Sequence, residues 1–429
     1  MDATKQCAGV LATFLLVLQF GCNKDSPQVA APTLNGQNCQ GQVKAKSFLV
    51  SWKTLVPHEF QNNVIYSGSK ITKFQNVDKS WVENHVLKPH RNEYLIAEYE
   101  FFAERIRKVK IESNCNSLSL PNTWGPADIQ ATEAWNYLGK KGDGVIVAVI
   151  DSGVDINHPL LKNQIWTNSM EAMGLMGIDD DGDGYVDDIH GWNFADNSSD
   201  VFDDSNHGTH VAGIIGGSAG ANNFTGVAPN VQILPLKFIN AQGDGSVSDA
   251  IKSMKFALSH GAKVINASWG GGDCSSVLKQ EILDATLSGT VFANASGNDG
   301  NDLNRLPEWP AAFQVPGKIT VGAYNVQQYL SIWSNYGILV DVAAPGEKIL
   351  STIPPDPGQP EGQLCDKSGT SMATPFVAGV AALLLSAKPT LSPTAVADAI
   401  NSSVVNGSYG VRTHGKLNAL NAAQWAMAH

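Results

Sequence analysis

The chain has 429 residues and a formal net charge of −11, with 43% hydrophobic and only 16% charged residues. That is enough apolar material for one sizeable core plus a smaller unit, and the acidic balance, with no large basic cluster interleaved with aromatics, speaks against nucleic acid as a partner. The 41 glycines suit a fold with many tight turns between strands and helices.

The first segment reads as an export signal. Residues 7–20 form an apolar run with polar side chains only at Thr13 and Gln19, after a short polar start carrying Lys5. The run is too short to cross a bilayer well, so residues 1–22 are expected to be a signal peptide. Gly21-Cys22 resembles the end of a bacterial lipoprotein signal, with Cys22 as the lipid anchor. Gln19 stands where such signals carry an aliphatic residue, and simple secretion with cleavage near Val29-Ala30-Ala31 is the competing outcome. Either way the protein is expected to be exported, secreted or held at a bacterial cell envelope. Residues 23–43, rich in Pro, Gln, Asn, Gly and Ala, read as a linker.

Residues 44–115 differ in character. Phe48-Leu49-Val50-Ser51-Trp52 and Tyr94-Leu95-Ile96-Ala97-Glu98-Tyr99 have the composition of strands, and a basic stretch, Arg105-Ile106-Arg107-Lys108-Val109-Lys110, follows. Residues 44–112 carry 12 Lys and Arg against 8 Asp and Glu, a net of +4, which leaves −15 on the rest of the chain.

Chemistry-bearing motifs begin after residue 140. Val145-Ile146-Val147-Ala148-Val149-Ile150 is a continuous apolar run, the pattern of a strand buried on both faces of a parallel sheet. It stops at Asp151-Ser152-Gly153, which puts a carboxylate at a strand's carboxyl end, where open α/β sheets build their sites. Asn206-His207-Gly208-Thr209-His210 opens a small-residue helix on a histidine. Near the C-terminus, Ser368-Gly369-Thr370-Ser371-Met372-Ala373-Thr374-Pro375 leads into the apolar helix pattern Phe376-Val377-Ala378-Gly379-Val380-Ala381-Ala382-Leu383-Leu384-Leu385. A serine at such a helix start sits beside unpaired backbone N–H groups that can receive a developing negative charge.

Between these motifs lies Ile178-Asp179-Asp180-Asp181-Gly182-Asp183-Gly184-Tyr185-Val186-Asp187-Asp188. Carboxylates at 179, 181 and 183, a turn glycine and the Tyr185 carbonyl match the first seven places of an EF-hand-type calcium loop. The twelfth place is His190 rather than Glu, so Asp187 or Asp188 must close the shell, with Asp188 the better candidate. A structural calcium ion held by Asp179, Asp181, Asp183, Tyr185 and Asp188 is expected; the alternative is a solvated acidic insertion.

The order Asp, His, Ser, with Gly226-Val227-Ala228-Pro229, Val264-Ile265-Asn266-Ala267-Ser268-Trp269-Gly270-Gly271, Ala295-Ser296-Gly297-Asn298-Asp299-Gly300, Trp333-Ser334-Asn335-Tyr336-Gly337 and Val340-Asp341-Val342-Ala343-Ala344-Pro345-Gly346, closely resembles the subtilisin-like serine proteases (subtilases). The resemblance runs over about residues 122–425 and implies a peptidase domain at 122–429. It implies a three-layer α/β fold with a doubly wound, mostly parallel sheet, preceded by a small α+β propeptide at 44–115 that chaperones folding and inhibits temporarily.

It also implies roles. Ser371 would be the nucleophile, His207 the general base and acid, Asp151 the residue orienting the imidazole, and Asn298 an oxyanion donor beside the Ser371 N–H. Ser268, Trp269 and Gly270 would flank the substrate strand, with Ala295, Ser296 and Gly297 on the opposite pocket wall. No acidic pair marks a preference for basic residues, so cleavage after apolar residues is expected. His210 reads as packing, and Phe376, where the family commonly has histidine, as altered packing with preserved chemistry. Partners would be protein or peptide substrates and the chain's own propeptide, acting on a monomer. Self-cleavage is expected near residues 113–121. An oxidising compartment makes Cys274–Cys365 the first choice of disulfide, then Cys39–Cys115, although spacing alone does not fix connectivity. A member kept only for binding would have no reason to retain Asp151, His207, Asn298 and Ser371 together.

Overall fold

A computed structural model describes residues 47–53, 55–65, 70–75, 77, 79–100, 102–103, 124–220, 224–355 and 363–429. The signal segment, Cys22, the linker, Cys39, Cys115, the 105–110 basic stretch and the 113–121 window lie outside the described residues.

The N-terminal unit is built on β1 (Ser47–Trp52), β2 (Ile71–Gln75), the short helix α1 (Lys79–Val82), β3 (Tyr94–Glu100) and β4 (Phe102–Ala103). Three strands form an antiparallel sheet in the order β2-β1-β3. Side chains alternate across a strand, and β1 uses both faces. Phe48, Val50 and Trp52 join Phe60, Phe74, Val82 and Val86 in a local core. Leu49 points the other way, into a cluster containing Val277, Leu278 and Ile282 of the larger unit. Lys73 Nζ donates to Ser248 Oγ across the same boundary at 3.0 Å.

The larger unit runs through α2 (Trp124–Asp128), α3 (Ala131–Leu138), β5 (Ile146–Asp151), α4 (Ser169–Met173), β6 (Trp192–Asn193), α5 (Gly208–Gly216), β7 (Gln232–Lys237), β8 (Gly245–Ser246) and α6 (Val247–Ser259). It continues with β9 (Val264–Ala267), α7 (Ser276–Leu287), β10 (Val291–Ala295), β11 (Lys318–Tyr324), β12 (Val342–Pro345) and the β13 (Ile349–Ile353)–β14 (Gln363–Lys367) hairpin. The chain ends with α8 (Thr370–Ala387), α9 (Pro393–Ser402), β15 (Val405–Asn406), β16 (Gly415–Lys416) and α10 (Ala419–Ala428).

The main sheet has the order β15-β16-β12-β11-β10-β9-β5-β7-β6. Every pairing in it is parallel except β15 with β16. Cores lie on both faces. Val147 and Val149 of β5 pack with α5, α8 and α10 residues on one side, while Ala148 and Ile150 pack with α6 and α7 residues on the other. That is why the strand reads as an unbroken apolar run. β5 lies between β7 and β9, so successive connections leave it in opposite directions, and its carboxyl end opens a crevice at this switch point.

Candidate active site

Asp151 ends β5, fully buried, and accepts from the Ser152 N–H at 2.7 Å. His207 caps α5, and its Nδ1 donates to Asp151 Oδ1 at 2.7 Å. With Nδ1 committed as donor, Nε2 is the free base of the neutral ring. The α5 start can approach β5 this closely because residue 208 is glycine: a Cβ there would lie 2.1 Å from the Gly153 carbonyl oxygen.

A second carboxylate braces the same junction. Asp203 is buried and accepts from Ser152 Oγ at 2.8 Å and from the Thr209 N–H at 2.8 Å, while Ser152 Oγ accepts from the Gly208 N–H at 3.0 Å. Burial pushes the Asp203 carboxyl up, and the Thr209 N–H opposes that push. Buried Lys367 Nζ donates to the Asn206 side chain at 2.6 Å and also to the Asn206 carbonyl, holding the turn before His207. Asp203 and Lys367 were missed by sequence reasoning; the Asp203-Asp204 doublet just before His207 was the available signal.

Ser371 lies in the first turn of α8, nearly buried at 7% exposure, where its N–H has no intrahelical acceptor. Its Oγ donates to the Ser268 carbonyl at 3.0 Å. Pro375 sits four residues later and lacks the N–H that would bond the Ser371 carbonyl. Ser268 Oγ supplies that donor instead, at 2.8 Å. The Ser-x-x-x-Pro spacing thus ties the helix start to the strand expected to bind substrate.

Asn298 is oriented from the same helix. Its Oδ1 accepts from the Thr370 N–H at 2.7 Å and from Thr370 Oγ1 at 3.0 Å. A backbone N–H can only donate, so the oxygen is fixed there and Nδ2 is the amide's remaining donor end. Asn335 organises the loop behind it: Oδ1 accepts from the N–H groups of Asp299 and Asn301, and Nδ2 donates to the Ser296 carbonyl and to Glu308 Oε2.

The pocket residues also gather here. Ser268, Trp269, Ala295, Ser296 and Gly297 are buried, and Gly270 is half-buried. Trp269 packs edge-on against Phe238, 5.0 Å between ring centroids, and lines a cavity with Ser246, Val247, Leu278 and Trp309. Its ring thus packs against the core and forms part of the cavity wall. His210 is buried, its Nε2 donating to the Cys365 carbonyl at 2.9 Å, and burial holds its pKa well below the usual histidine value. It is a packing residue, as expected. Phe376 is also buried, its ring against Gly125 of α2.

The acidic loop converges on a point of its own. Asp181, Asp183 and Asp188 gather with two residues sequence reasoning did not include, Glu171 of α4 and His260 just after α6. Asp183 Oδ2 and Asp188 Oδ2 are buried without a hydrogen-bond partner. Burial, with neighbouring carboxylates, pushes Asp183 up to about 6 and Asp188 up to about 7. Asp179 is spent on the loop itself, accepting from the N–H groups of Gly182, Asp183 and Gly184. Tyr185 donates its N–H to Asp183 and buries its ring against Trp192, Phe194 and Phe256. Of the two candidates for closing the shell, Asp188 faces the cluster, whereas Asp187 accepts from the Gly177 N–H. Elsewhere, Cys274 and Cys365 are both disulfide-bonded.

The Subtilase family profile matches residues 142–423. The chain belongs to the subtilase family. It is 34% identical to thermitase of Thermoactinomyces vulgaris over 305 residues, covering 70% of this chain and 96% of that one. It is 35% identical to a subtilisin of Bacillus pumilus over 304 residues, covering 70% of this chain and 98% of that one. Among solved structures it is similar to the crystal structure of a cold adapted subtilisin-like serine proteinase, with TM-score 0.52, 33% identity, and coverage of 65% of this chain and 88% of that one. This subtilase is a serine endopeptidase of the α/β, mostly parallel-sheet type.

Proposed function

We propose that this subtilase hydrolyses peptide bonds through an acyl-enzyme formed on Ser371, and that it is exported as a self-processed zymogen. The observation that carries the mechanism is the His207 Nδ1–Asp151 bond at 2.7 Å, which leaves Nε2 as the base; Ser371 at a helix start and Asn298, its amide oxygen held by the Thr370 N–H, complete the proposed set. His207 takes the Ser371 proton as Oγ attacks the scissile carbonyl, then returns it to the leaving amine. The imidazolium formed in between is stabilised by Asp151. The Ser371 N–H and Asn298 Nδ2 hold the oxyanion. Water repeats the sequence to release the acyl group.

The zymogen reading assigns residues 44–115 to an inhibitory propeptide and 122–429 to the peptidase. It is supported by β4, which pairs antiparallel with β8, Phe102 opposite Ser246 and Ala103 opposite Gly245. An extended segment added to a strand edge is how peptides dock on sheets. Export through residues 1–22, with or without a lipid on Cys22, rests on sequence, and the disulfide-bonded Cys274 and Cys365 agree with an oxidising compartment.

A structural calcium ion belongs to the same proposal. Asp181, Asp183, Asp188 and Glu171 would hold it, with His260 at the rim; the two orphaned carboxylate oxygens fit a cation. Bound there, the ion would neutralise the packed carboxylates and brace the insertion between β5 and α5.

The decisive test is Ser371→Ala. The variant should accumulate as a full-length precursor and fail to react with a serine-directed inhibitor. Normal maturation of the purified variant would end the proposal.

A further inference from the structure

The expected preference for apolar side chains meets an obstacle at Glu308. On the peptidase reading, which this inference rests on, the side chain before the scissile bond enters between the segments that carry Gly270 and Gly297, which follow β9 and β10. Both residues lack a Cβ, and the carboxylate of Glu308 fills that space. An ideal Cβ on Gly297 would lie 2.1 Å from Glu308 Oε2, and one on Gly270 would lie 3.2 Å from Glu308 Oε1. The carboxylate therefore spans the slot from wall to wall. Asn335 Nδ2 donates to Oε2 at 2.8 Å and also to the Ser296 carbonyl, so the acid is anchored to the wall. The next residue is anchored too: the Trp309 carbonyl accepts from the Gly271 N–H at 2.9 Å.

The geometry points to Glu308 as a specificity-determining residue that selects Lys or Arg immediately before the scissile bond. A half-buried carboxylate in a slot attracts a cation, resists a carboxylate, and loses hydration to no purpose under an aliphatic side chain. An extended Lys or Arg stem packs along the glycine walls while its charged head reaches the acid.

The chain's own first substrate agrees. β4 pairs with β8, whose Ser246 lines the same cavity as Trp269 and Gly270, and the sequence after β4 is Glu104-Arg105-Ile106-Arg107-Lys108-Val109-Lys110. Self-cleavage is then expected after Arg105, Arg107, Lys108 or Lys110 rather than in the 113–121 window.

The test uses mature protein and four tetrapeptide anilides that differ only in the residue before the cleaved bond: Lys, Arg, Met or Glu. Wild type should favour Lys and Arg over Met in kcat/KM by roughly 10- to 100-fold, with Glu the poorest. Glu308→Gln keeps an oxygen for Asn335 Nδ2 and removes the charge. Its Lys-to-Met ratio should fall by about the same factor, and its Glu-to-Met ratio should rise. A purely structural acid would lower all four together, so unchanged ratios overturn the inference, as does a wild type with no preference for Lys and Arg. Labelling of Ser371 by a serine-directed reagent separates the two levels. Labelled protein lacking charge selectivity refutes Glu308 alone, whereas protein neither labelled nor active on any peptide refutes the peptidase reading and this inference with it.

Discussion

The bond from Ser268 Oγ to the Ser371 carbonyl can be measured as a double-mutant cycle with Pro375. Ser268 is 1% exposed, so a carbonyl left without its donor there has no water to turn to. Ser268→Ala should cost about 1–3 kcal/mol for that stranded group. Part of the loss in the single variant comes from Asn266 Nδ2, which donates to Ser268 Oγ at 2.9 Å. The cycle removes that part. Pro375→Ala supplies the missing helical N–H, one turn above the Ser371 carbonyl, so in its background Ser268→Ala should cost at least about 1 kcal/mol less. For a domain of this size, with an unfolding entropy of about 2.1 cal/mol/K per residue, that coupling is a difference of differences of about 1–2 °C in Tm. The assay is thermal melting of all four proteins after Ser371 has been blocked with a serine-directed reagent, which prevents autolysis. Equal losses of Tm from Ser268→Ala in both backgrounds would refute the idea that Pro375 makes the nucleophile's carbonyl depend on the substrate strand.

Asn298→Ala should lower kcat by roughly 10²–10³ with KM little changed, the magnitude associated with losing one oxyanion donor in a subtilisin; a variant with full kcat removes Asn298 from the mechanism. Asn298→Asp should be no better than Ala, because Thr370 still fixes one oxygen and the other becomes an acceptor facing the oxyanion. Chelation should lower Tm and hasten autolysis, and Asp181→Ala with Asp183→Ala should reproduce that loss; identical Tm with and without chelator at matched ionic strength removes calcium from the acidic loop. Lys318 is buried, with Nζ donating to the Ala311 carbonyl at 2.9 Å, and burial lowers its pKa from 10.5 to about 8. The unfolded chain then binds more protons between pH 8 and 10.5, so this group's contribution to stability rises across that window by about 3 kcal/mol and is flat below it. Lys318→Met should abolish that rise and stabilise the protein at pH 7; an unchanged difference between variant and wild type from pH 7 to 10 refutes the assignment.

What was legible in the sequence is what lies within a few residues. Asp151 at the end of an apolar run, His207 before a small-residue helix and Ser371 at a helix start each carry a local signature, because strand ends and helix starts are themselves local events. Preferring Asp188 to Asp187 finds its reason only in the backbone: Asp187 sits at φ 56° and its carboxylate accepts from the Gly177 N–H. The partners that matter next come from far along the chain. His260 reaches the acidic loop from the end of another helix, Glu308 meets Gly270 and Gly297 from a separate loop, and Ser268 meets Ser371 across more than a hundred residues. Spacing carries no trace of such encounters, since they exist only once the sheet has set its strand order. The apolar preference expected of the pocket rested on the absence of an acidic pair, and a single glutamate in a loop gives no periodic signal to read.

The two-sided use of β1 bears on the time course of activation. Leu49, Ile65 and Ile71 are buried in the same cluster as the α6 and α7 residues of the peptidase. On the proposed zymogen reading, cutting the chain after β4 would sever a covalent link and leave this apolar contact intact. The cut fragment would then be a ligand whose departure uncovers oily surface on both bodies, and it would leave slowly. Free enzyme would emerge only as fragments are diluted or digested, and each enzyme set free would digest more of them. Activity should therefore appear after a lag, rise autocatalytically, and be pushed back by added residues 44–115, so that dose and dilution govern when the protease begins to act.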